Sequence, residues 1–278
     1  MLFAWILLIT SAIAAEYDYI IVGGGTSGLV VANRLSEDPN ISVLVIEGGD
    51  SVYDNPYVTD ISRLASTYDS PLDWAFQTTE QAYGGRRQII RTGKALGGTN
   101  ERLMHAQSHR KSMLSNGLGS MGGHGIAEVS AGATFAPRFH GFHGPVNVGF
   151  RPMSKGENDL TTALNRALST SSRFIRIPYP DDIRSDAARA YYWPYKDRPN
   201  LHLKLDTLVT RLLWSDKNGD DGLRSEGVET YESKHGKRYA SNARREAILA
   251  AGAMRSPALL ELSGAGNPSL DAIPSRVV

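Results

Sequence analysis

The chain has 278 residues, of which 41% are hydrophobic and 21% are charged. This composition is typical of a globular protein with a sizeable core and not of a disordered chain. The formal net charge is +1, so no basic field is available to hold nucleic acid. Cysteine is absent, which excludes disulfides, thiolate zinc sites and a cysteine nucleophile.

Residues 1–15 are expected to form a secretory signal peptide. Leu2–Ile9 is an apolar run that is too short to cross a bilayer, which takes about 20 residues. Ala12-Ile13-Ala14 gives the small-x-small pattern of a cleavage site. No Lys or Arg precedes the apolar run, and the alternative is a buried N-terminal strand or helix. We therefore expect a secreted, extracellular protein without a membrane span.

A dinucleotide-binding fingerprint comes next. Tyr17–Val22 and Ile41–Ile46 are apolar, β-branched runs that predict buried strands, and a helical pattern lies between them. Three glycines in the order GxGxxG join the first strand to the helix. Gly23 permits the tight turn, Gly25 lets a pyrophosphate approach the backbone, and Gly28 lets the helix pack close to the strand.

Glu47 follows the second strand, 19 residues after Gly28 (47 − 28). Its carboxylate can accept hydrogen bonds from the adenosine ribose hydroxyls, and it repels a 2′-phosphate, which argues against NADP. The helix N-terminus adds unpaired N–H groups for the phosphates. The whole series predicts dinucleotide binding, and the alternative is a glycine loop that only turns the chain. The fingerprint alone does not distinguish FAD from NAD.

The last third of the chain predicts an antiparallel meander. The segments that alternate apolar and polar residues are Leu201–Asp206, Val209–Trp214, Glu226–Tyr231 and Lys237–Ala243. Turns are expected at 218–222 and at His235-Gly236. Ala247–Ala251 is expected to return as a buried strand, and Ser256-Pro257 to cap and open a helix.

Four separated segments carry a family resemblance. DWAFQTT (73–79) is followed by RRQIIRTGKALGGT (86–99), and further along lie RSDAARAYYWPYKDRPNLHL (184–203) and GAMRSPALLELSGAG (252–266). Together they resemble the GMC oxidoreductases, flavoproteins named after glucose, methanol and choline oxidation. The fungal glucose oxidase-like and aryl-alcohol oxidase-like members are the most similar.

The resemblance implies FAD as the cofactor and an α/β fold, with a Rossmann-type FAD-binding domain carrying an antiparallel meander. It also implies oxidation of a small-molecule alcohol by hydride transfer to the flavin, with oxygen or a quinone as electron acceptor. Carried onto this sequence, it places Thr26 and Ser27 at the pyrophosphate, Glu47 at the ribose, Gly97, Gly98 and Thr99 along the flavin linker, and the Val209 backbone at the adenine.

The family pattern is lost at Asn100 and returns near Ala136. We hypothesise that this stretch is read out of frame or spans a missed intron boundary; an in-frame transcript encoding the same residues would refute the idea. The expected domain limits are 16–99 for the first part of the FAD-binding domain, 100–190 for an irregular region and 191–278 for the second part.

The resemblance places the catalytic histidine in a C-terminal part that these residues do not include. We therefore expect a truncated chain that lacks most of the substrate domain and has impaired catalysis, and we assign no catalytic residue and no metal ligand. One alternative is a non-catalytic remnant that binds FAD or only its ADP half. Another is an NAD-dependent dehydrogenase, which leaves GKALGGT and GAMRSPALLELSGAG unexplained.

Overall fold

The computed structural model describes residues 15–59, 63, 66–101, 186–215 and 224–266. The strands are β1 (Ala15–Val22), β2 (Val43–Ile46), β3 (Phe76–Gln77), β4 (Ile89–Ile90), β5 (Leu201–Lys204), β6 (Thr207–Trp214), β7 (Ser225–Glu232) and β8 (Lys237–Leu249). The α-helices are α1 (Thr26–Leu35), α2 (Pro56–Thr59), α3 (Ala187–Tyr191) and α4 (Gly252–Leu262). Short 3-10 turns cover Gly98–Glu101 and Trp193–Tyr195.

One mixed sheet organises the described residues, with the strand order β5-β2-β1-β8-β7-β6. The strands β5, β2, β1 and β8 run parallel to one another. β6, β7 and β8 form an antiparallel meander, so β8 belongs to both parts of the sheet. β3 and β4 pair in a separate antiparallel hairpin. This is the predicted α/β fold, a Rossmann-type sheet with an attached meander.

Two details of the predicted elements are wrong. Leu201–Asp206 does not join the meander, because β5 pairs in parallel with β2 at the opposite edge of the sheet. Alternation of apolar and polar residues reports one buried face, and it carries no information about strand direction. The last helix begins at Gly252 and contains Pro257 in its interior. Gly252 has a φ of +82°, so the turn out of β8 is made there rather than at Ser256.

The central strands are buried on both faces, as their continuous apolar runs predict. In β1, Ile21 packs in one core cluster, with Val45 of β2 and Leu29 of α1. Ile20 packs in a second cluster on the other face of the sheet, with Leu44 of β2. Successive side chains of a strand point to opposite faces, so β1 and β2 contribute to both cores.

The end of α1 is fixed by a segment distant in sequence. The Asn33 side-chain amide donates to the Tyr191 carbonyl of α3 at 2.9 Å. Arg198 donates to the Asn33 carbonyl at 2.7 Å, and Asn200 donates to the carbonyls of Ser36 and Asp38 at 3.1 and 2.9 Å. These bonds satisfy acceptors that the end of a helix leaves without an intrahelical partner. α3 therefore packs in the nucleotide-binding core, although all of its residues except Tyr191 lie in the range 100–190 that the sequence assigned to the irregular region.

A buried carboxylate ties three strands together at the amino edge of the parallel strands. Asp18 accepts from the Ser42 N–H at 2.8 Å, just before β2, and from Arg244 of β8 at 3.1 and 3.0 Å. Hydrogen bonds from Arg244 and Ser42 hold the pKa of Asp18 well below its usual range. The β1–β8 register shifts between Tyr17 and Tyr19, at the position of this carboxylate.

The far edge of the meander is covered by α4. The Leu212 N–H of β6 donates to the Ser263 hydroxyl at 2.8 Å, and that hydroxyl donates to the Leu259 carbonyl at 2.6 Å. The Trp214 indole N–H donates to the Ser263 carbonyl. An edge strand otherwise presents unpaired N–H groups that invite pairing with another chain. Among the described helices, none is long and apolar enough to cross a bilayer.

Several features named from the sequence lie outside the described residues. They are the signal peptide up to residue 14, most of the irregular region (102–185) and the turn expected at 218–222. The turn expected at His235-Gly236 is confirmed, because the Gly236 N–H donates to the Glu232 carbonyl at 2.9 Å and Gly236 has a φ of +61°. The predicted domain limits stay a prediction.

Candidate cofactor site

The predicted site residues converge at the carboxyl edge of the parallel strands. β1 ends at Val22, just before the glycine loop, β2 ends at Ile46, just before Glu47, and β8 ends at Leu249, just before Ala250. The Gly23 N–H donates to the Ile46 carbonyl, and the Ala250 N–H donates to the Val22 carbonyl, both at 2.8 Å. β1 has β2 on one side and β8 on the other, so the chain order reverses at this strand. Open α/β sheets bind ligands at such a switch point.

Two of the fingerprint glycines are required by the packing of the backbone itself. Gly23 has a φ of +111°, and a Cβ there would stand 2.5 Å from the Ala250 carbonyl oxygen. A Cβ at Gly28 would stand 3.2 Å from the Gly23 carbonyl carbon and still closer to its oxygen. Gly28 therefore lets α1 lie against the turn that leaves β1, as the sequence predicts.

Gly25 differs from these two glycines, because the protein leaves the space beside it open. Its φ of −84° is available to any residue. Among the described residues, a Cβ there would meet only the Gly98 Cα, at 3.8 Å, which is ordinary contact. Internal packing therefore does not require glycine at this position. A ligand lying against the backbone does require it, so the geometry fits a pyrophosphate above Gly25.

The N-terminus of α1 opens onto the same space. Gly25 is its N-cap, no side chain in the described part of the chain caps the helix, and the first turn contains no acidic residue. The first intrahelical bond runs from the Leu29 N–H to the Gly25 carbonyl at 2.9 Å. The N–H groups of Thr26 and Ser27 have no acceptor within the helix. Such groups, with the positive end of the helix dipole, suit an anion.

The GGT motif lies directly beside the glycine loop, although more than 70 residues separate them (97 − 25 = 72). The Gly97 N–H donates to the Gly24 carbonyl at 2.8 Å. Gly98 has a φ of +68°, and a Cβ there would stand 2.8 Å from the Gly25 Cα. Thr99 is the second residue of the 3-10 turn Gly98–Glu101, and its hydroxyl accepts from the Gly93 N–H at 3.4 Å.

Glu47 is buried and held by backbone donors on both carboxylate oxygens. Oε2 accepts from the Gly24 N–H at 2.8 Å, and Oε1 accepts from the Gly49 N–H at 2.9 Å. Burial raises the pKa of this carboxyl, while the backbone N–H groups and the charge of Arg255 oppose the rise. Each carboxylate oxygen can accept a second hydrogen bond, so two acceptor positions remain for ribose hydroxyls.

Val209, expected at the adenine, lies in β6, whose first residue contacts Glu47. The Thr207 N–H donates to the Glu47 carbonyl at 3.0 Å, and Val209 follows two residues later, paired with Thr230 of β7. The structure thus brings Val209 to the same end of the sheet. A contact with adenine stays a prediction.

Sequence reasoning missed two side chains at this site, although both lie within motifs that it quoted. Trp74 belongs to DWAFQTT, and its indole edge lies beside Gly48, where a Cβ would stand 3.0 Å from Cζ2. Arg255 belongs to GAMRSPALLELSGAG, and its guanidinium carbon lies 3.8 Å from the centroid of the Trp74 ring. An arginine and a tryptophan 181 residues apart (255 − 74) carry no local pattern that predicts their contact.

A cleft of about 340 Å³ adjoins this region. It is lined by Gly49, Asp50, Ser51, Val52, Asn55, Pro71, Leu72, Lys94 and Asp206. In the part of the chain that the structure describes, no cluster of three or more His, Cys, Asp or Glu side chains suits a metal ion. Asp186, one of the described carboxylates, serves as the N-cap of α3 and accepts from the Arg189 N–H at 2.8 Å.

Comparison with known proteins decides the family. A family model described as GMC oxidoreductase matches residues 158–274, and one described as an NAD(P)-binding Rossmann-like domain matches residues 21–60. Glucose oxidase-like protein fsoC of Humicola fuscoatra is 38% identical over 281 residues, which cover 87% of this chain and 47% of that protein. The chain belongs to the GMC oxidoreductase family. A glucose oxidase of Aspergillus carbonarius is also similar, with 32% identity over 91% of this chain and 48% of that protein.

The fold of this GMC chain agrees with solved structures. An FAD-dependent oxidoreductase from Chaetomium thermophilum matches with a TM-score of 0.74 and 25% identity, covering 91% of this chain and 48% of that one. The chain spans about half the length of the curated relatives it matches. The cofactor of a GMC oxidoreductase is FAD, and the open space at Gly25, the uncapped start of α1 and the acceptors of Glu47 fit that nucleotide.

Proposed function

We propose that this chain binds FAD at the carboxyl edge of β1, β2 and β8. The pyrophosphate lies against Gly25 and the N–H groups of Thr26 and Ser27, and the adenosine ribose donates to Glu47. The observation that carries this proposal is the space beside Gly25, where, of the residues that the structure describes, only Gly98 has an atom (its Cα) within 4 Å of a Cβ position. Gly97 to Thr99 border this space, and we assign them to the linker that joins the pyrophosphate to the flavin ring.

The proposed reaction is oxidation of an alcohol carbon in a small-molecule substrate. FAD, when bound, supplies the acceptor for the hydride that leaves the carbon, while the hydroxyl proton passes to a base and the alcohol becomes a carbonyl compound. Oxygen or a quinone would be the final electron acceptor, reduced by two electrons and two protons to hydrogen peroxide or a quinol. The similarity to proteins named glucose oxidase supports an alcohol substrate and oxygen as acceptor.

For the polypeptide of 278 residues by itself, we propose FAD binding with little or no turnover. The chain spans about half the length of the relatives that carry the activity in their names. The site described above consists of nucleotide-binding groups, and none of them is placed to take a hydroxyl proton from a substrate. We therefore expect this polypeptide to behave as a domain that binds FAD and does not oxidise alcohols.

The test is reconstitution with FAD, removal of the excess, and anaerobic addition of glucose, choline, benzyl alcohol and ethanol in turn. We expect a retained visible flavin band that none of these alcohols bleaches, and a band that dithionite does bleach. Rapid bleaching by one alcohol would contradict the proposal for this polypeptide while supporting the family reaction. Failure to retain flavin would contradict the binding site itself.

We also propose that the protein is secreted. The support is the apolar run Leu2–Ile9 and the cleavage pattern Ala12-Ile13-Ala14. The expected signal peptide ends at residue 15, so its removal takes only the first residue of β1, Ala15. N-terminal sequencing of protein recovered from a secreting host is expected to begin at Glu16, and an intact Met1 would contradict the proposal.

A further inference from the structure

Trp74 forms a fixed aromatic platform next to the ribose-binding carboxylate. The backbone on both sides of the ring is held, because the Trp74 N–H donates to the Thr92 carbonyl at 3.1 Å and the Ala75 N–H donates to Asp73 at 2.9 Å. Ala75 has a φ of +44°, a conformation that alanine adopts at a cost. The indole edge reaches Gly48, the residue that follows Glu47. The constrained backbone at Ala75 thus holds the Trp74 indole against the end of β2.

Arg255 stacks on this platform, and no described residue accepts a hydrogen bond from its guanidinium. Its guanidinium carbon lies 3.8 Å from the Trp74 ring centroid, and its charge acts on the Glu47 carboxylate. The group is partly buried, and burial lowers its pKa. Within the described part of the chain, its guanidinium makes neither a hydrogen bond nor an ion pair within 4.0 Å. A partly buried guanidinium with five N–H groups and no acceptor suits a ligand that brings acceptors.

The proposed cofactor brings such acceptors to this place. A ribose hydroxyl has one hydrogen to donate and two lone pairs that can accept. Glu47 can only accept, so it satisfies the hydrogens of the hydroxyls and leaves their lone pairs open. A guanidinium can only donate, and its planar fork suits two neighbouring oxygens. Glu47 and Arg255 are therefore complementary halves of a site for a vicinal diol.

We propose that Arg255 is a cofactor-binding residue that donates hydrogen bonds to the hydroxyl oxygens of the adenosine ribose. This inference rests on the proposed FAD site, in which Glu47 accepts from the same hydroxyls. A phosphate is the less suitable acceptor, because the proposed pyrophosphate position lies at Gly25 and the start of α1, whereas Arg255 lies at Glu47 and Trp74. Trp74 acts as a positioning residue, since it holds the plane of the guanidinium.

The experiment compares nucleotides that differ only in the ribose hydroxyls. Calorimetric titration of the cofactor-free chain uses ADP and 2′,3′-dideoxy-ADP, with FAD as a third probe. Arg255→Met is expected to weaken ADP and FAD about tenfold to a hundredfold, the loss of hydrogen bonds from a charged donor. The same substitution is expected to change the affinity for 2′,3′-dideoxy-ADP less than about threefold, because the acceptors are already gone.

Arg238→Met is the matched control. Arg238 also lies over an aromatic ring, 5.9 Å from the Tyr231 centroid, but it belongs to the meander and is exposed. Its substitution is expected to leave both affinities unchanged. Thermal unfolding of the cofactor-free variants checks that each is folded.

Three outcomes would overturn the inference. An equal loss for ADP and for 2′,3′-dideoxy-ADP in Arg255→Met would mean that the charge acts on the phosphates and not on the ribose. An unchanged affinity for all three probes would mean that Arg255 does not touch the nucleotide, and the FAD site would stand without it. No binding of FAD or ADP by the unaltered chain would overturn the FAD site and the Arg255 assignment together.

Discussion

Substitution of Gly25 and of Gly28 by alanine separates cofactor binding from folding. At Gly25 the φ of −84° suits alanine, and within the described ranges the added Cβ meets only the Gly98 Cα, at 3.8 Å. The unfolding free energy of the cofactor-free chain should therefore change by no more than about 1 kcal/mol. The methyl group occupies the space against which the pyrophosphate lies. Loss of one or two charge-assisted hydrogen bonds weakens FAD binding by at least about tenfold.

At Gly28 the same substitution destabilises the folded chain instead. The Cβ overlaps the Gly23 carbonyl oxygen and stands 3.2 Å from Ile21 Cγ2, so α1 must move away from β1. Overpacking between backbone atoms costs about 3 kcal/mol or more. At roughly 2–4 °C per kcal/mol for a chain of this size, the Tm should fall by about 6–12 °C.

The assay is thermal unfolding of each cofactor-free variant, followed by titration with FAD monitored by flavin fluorescence. We predict that Gly25→Ala keeps the Tm and loses FAD affinity, and that Gly28→Ala loses both. If Gly25→Ala binds FAD as tightly as the unaltered chain, the pyrophosphate does not lie there. If Gly28→Ala has the Tm of the unaltered chain, α1 does not lie as close to the turn after β1 as described above.

Three further predictions concern the groups that hold the sheet and the ribose. Asp18→Asn should lower the Tm by several degrees at neutral pH. A carboxylate whose pKa is depressed in the folded state stabilises the fold above its unfolded pKa of about 3.9, and this stabilisation is lost as the pH falls below that value. The difference in Tm between the unaltered chain and Asp18→Asn should therefore shrink toward pH 3. The FAD affinity of the unaltered chain should fall on mild acidification, because burial raises the pKa of Glu47 and the protonated carboxyl has lost an acceptor. In Glu47→Gln the FAD affinity should be lower by about tenfold or more at neutral pH, and mild acidification should no longer change it. Ser263→Ala should cost about 1–3 kcal/mol in denaturant unfolding, because the buried Leu212 N–H loses its acceptor.

Each of these has an outcome that contradicts it. An Asp18→Asn chain with an unchanged Tm at neutral pH would mean that the Arg244 and Ser42 bonds do not stabilise the sheet. FAD affinity that falls with acid as steeply in Glu47→Gln as in the unaltered chain would assign the titration to another group. For Ser263→Ala, Ser233→Ala in the turn between β7 and β8 is the control, and equal unfolding energies in the two variants would refute the role of the edge hydroxyl.

Local pattern in the sequence was sufficient to predict the core of the fold. The strand, the three glycines, α1, β2 and Glu47 follow one another within 31 residues (47 − 17 + 1), so their spacing reports their geometry directly. The resemblance supplied Gly97 and Gly98, and the structure places both against the glycine loop. Their proximity depends on the path of the intervening chain, which no local pattern specifies.

Features that depend on tertiary packing were not predicted. The direction of β5 is set by its pairing with β2, and alternation within a strand contains no information about its neighbour. The contact between Trp74 and Arg255 joins two motifs that are far apart in the chain. The start of α4 follows from the positive φ of Gly252, whereas the sequence pattern gave more weight to Pro257.

The most direct test of FAD binding is the visible absorption spectrum of the purified chain after FAD has been added and the excess removed. The site at Gly25 and Glu47 predicts a retained flavin band with about one FAD per chain, a stoichiometry that follows from one fingerprint in the sequence. Gly25→Ala carried through the same procedure should lose the band. A chain that is folded by circular dichroism but retains no flavin would contradict the central claim.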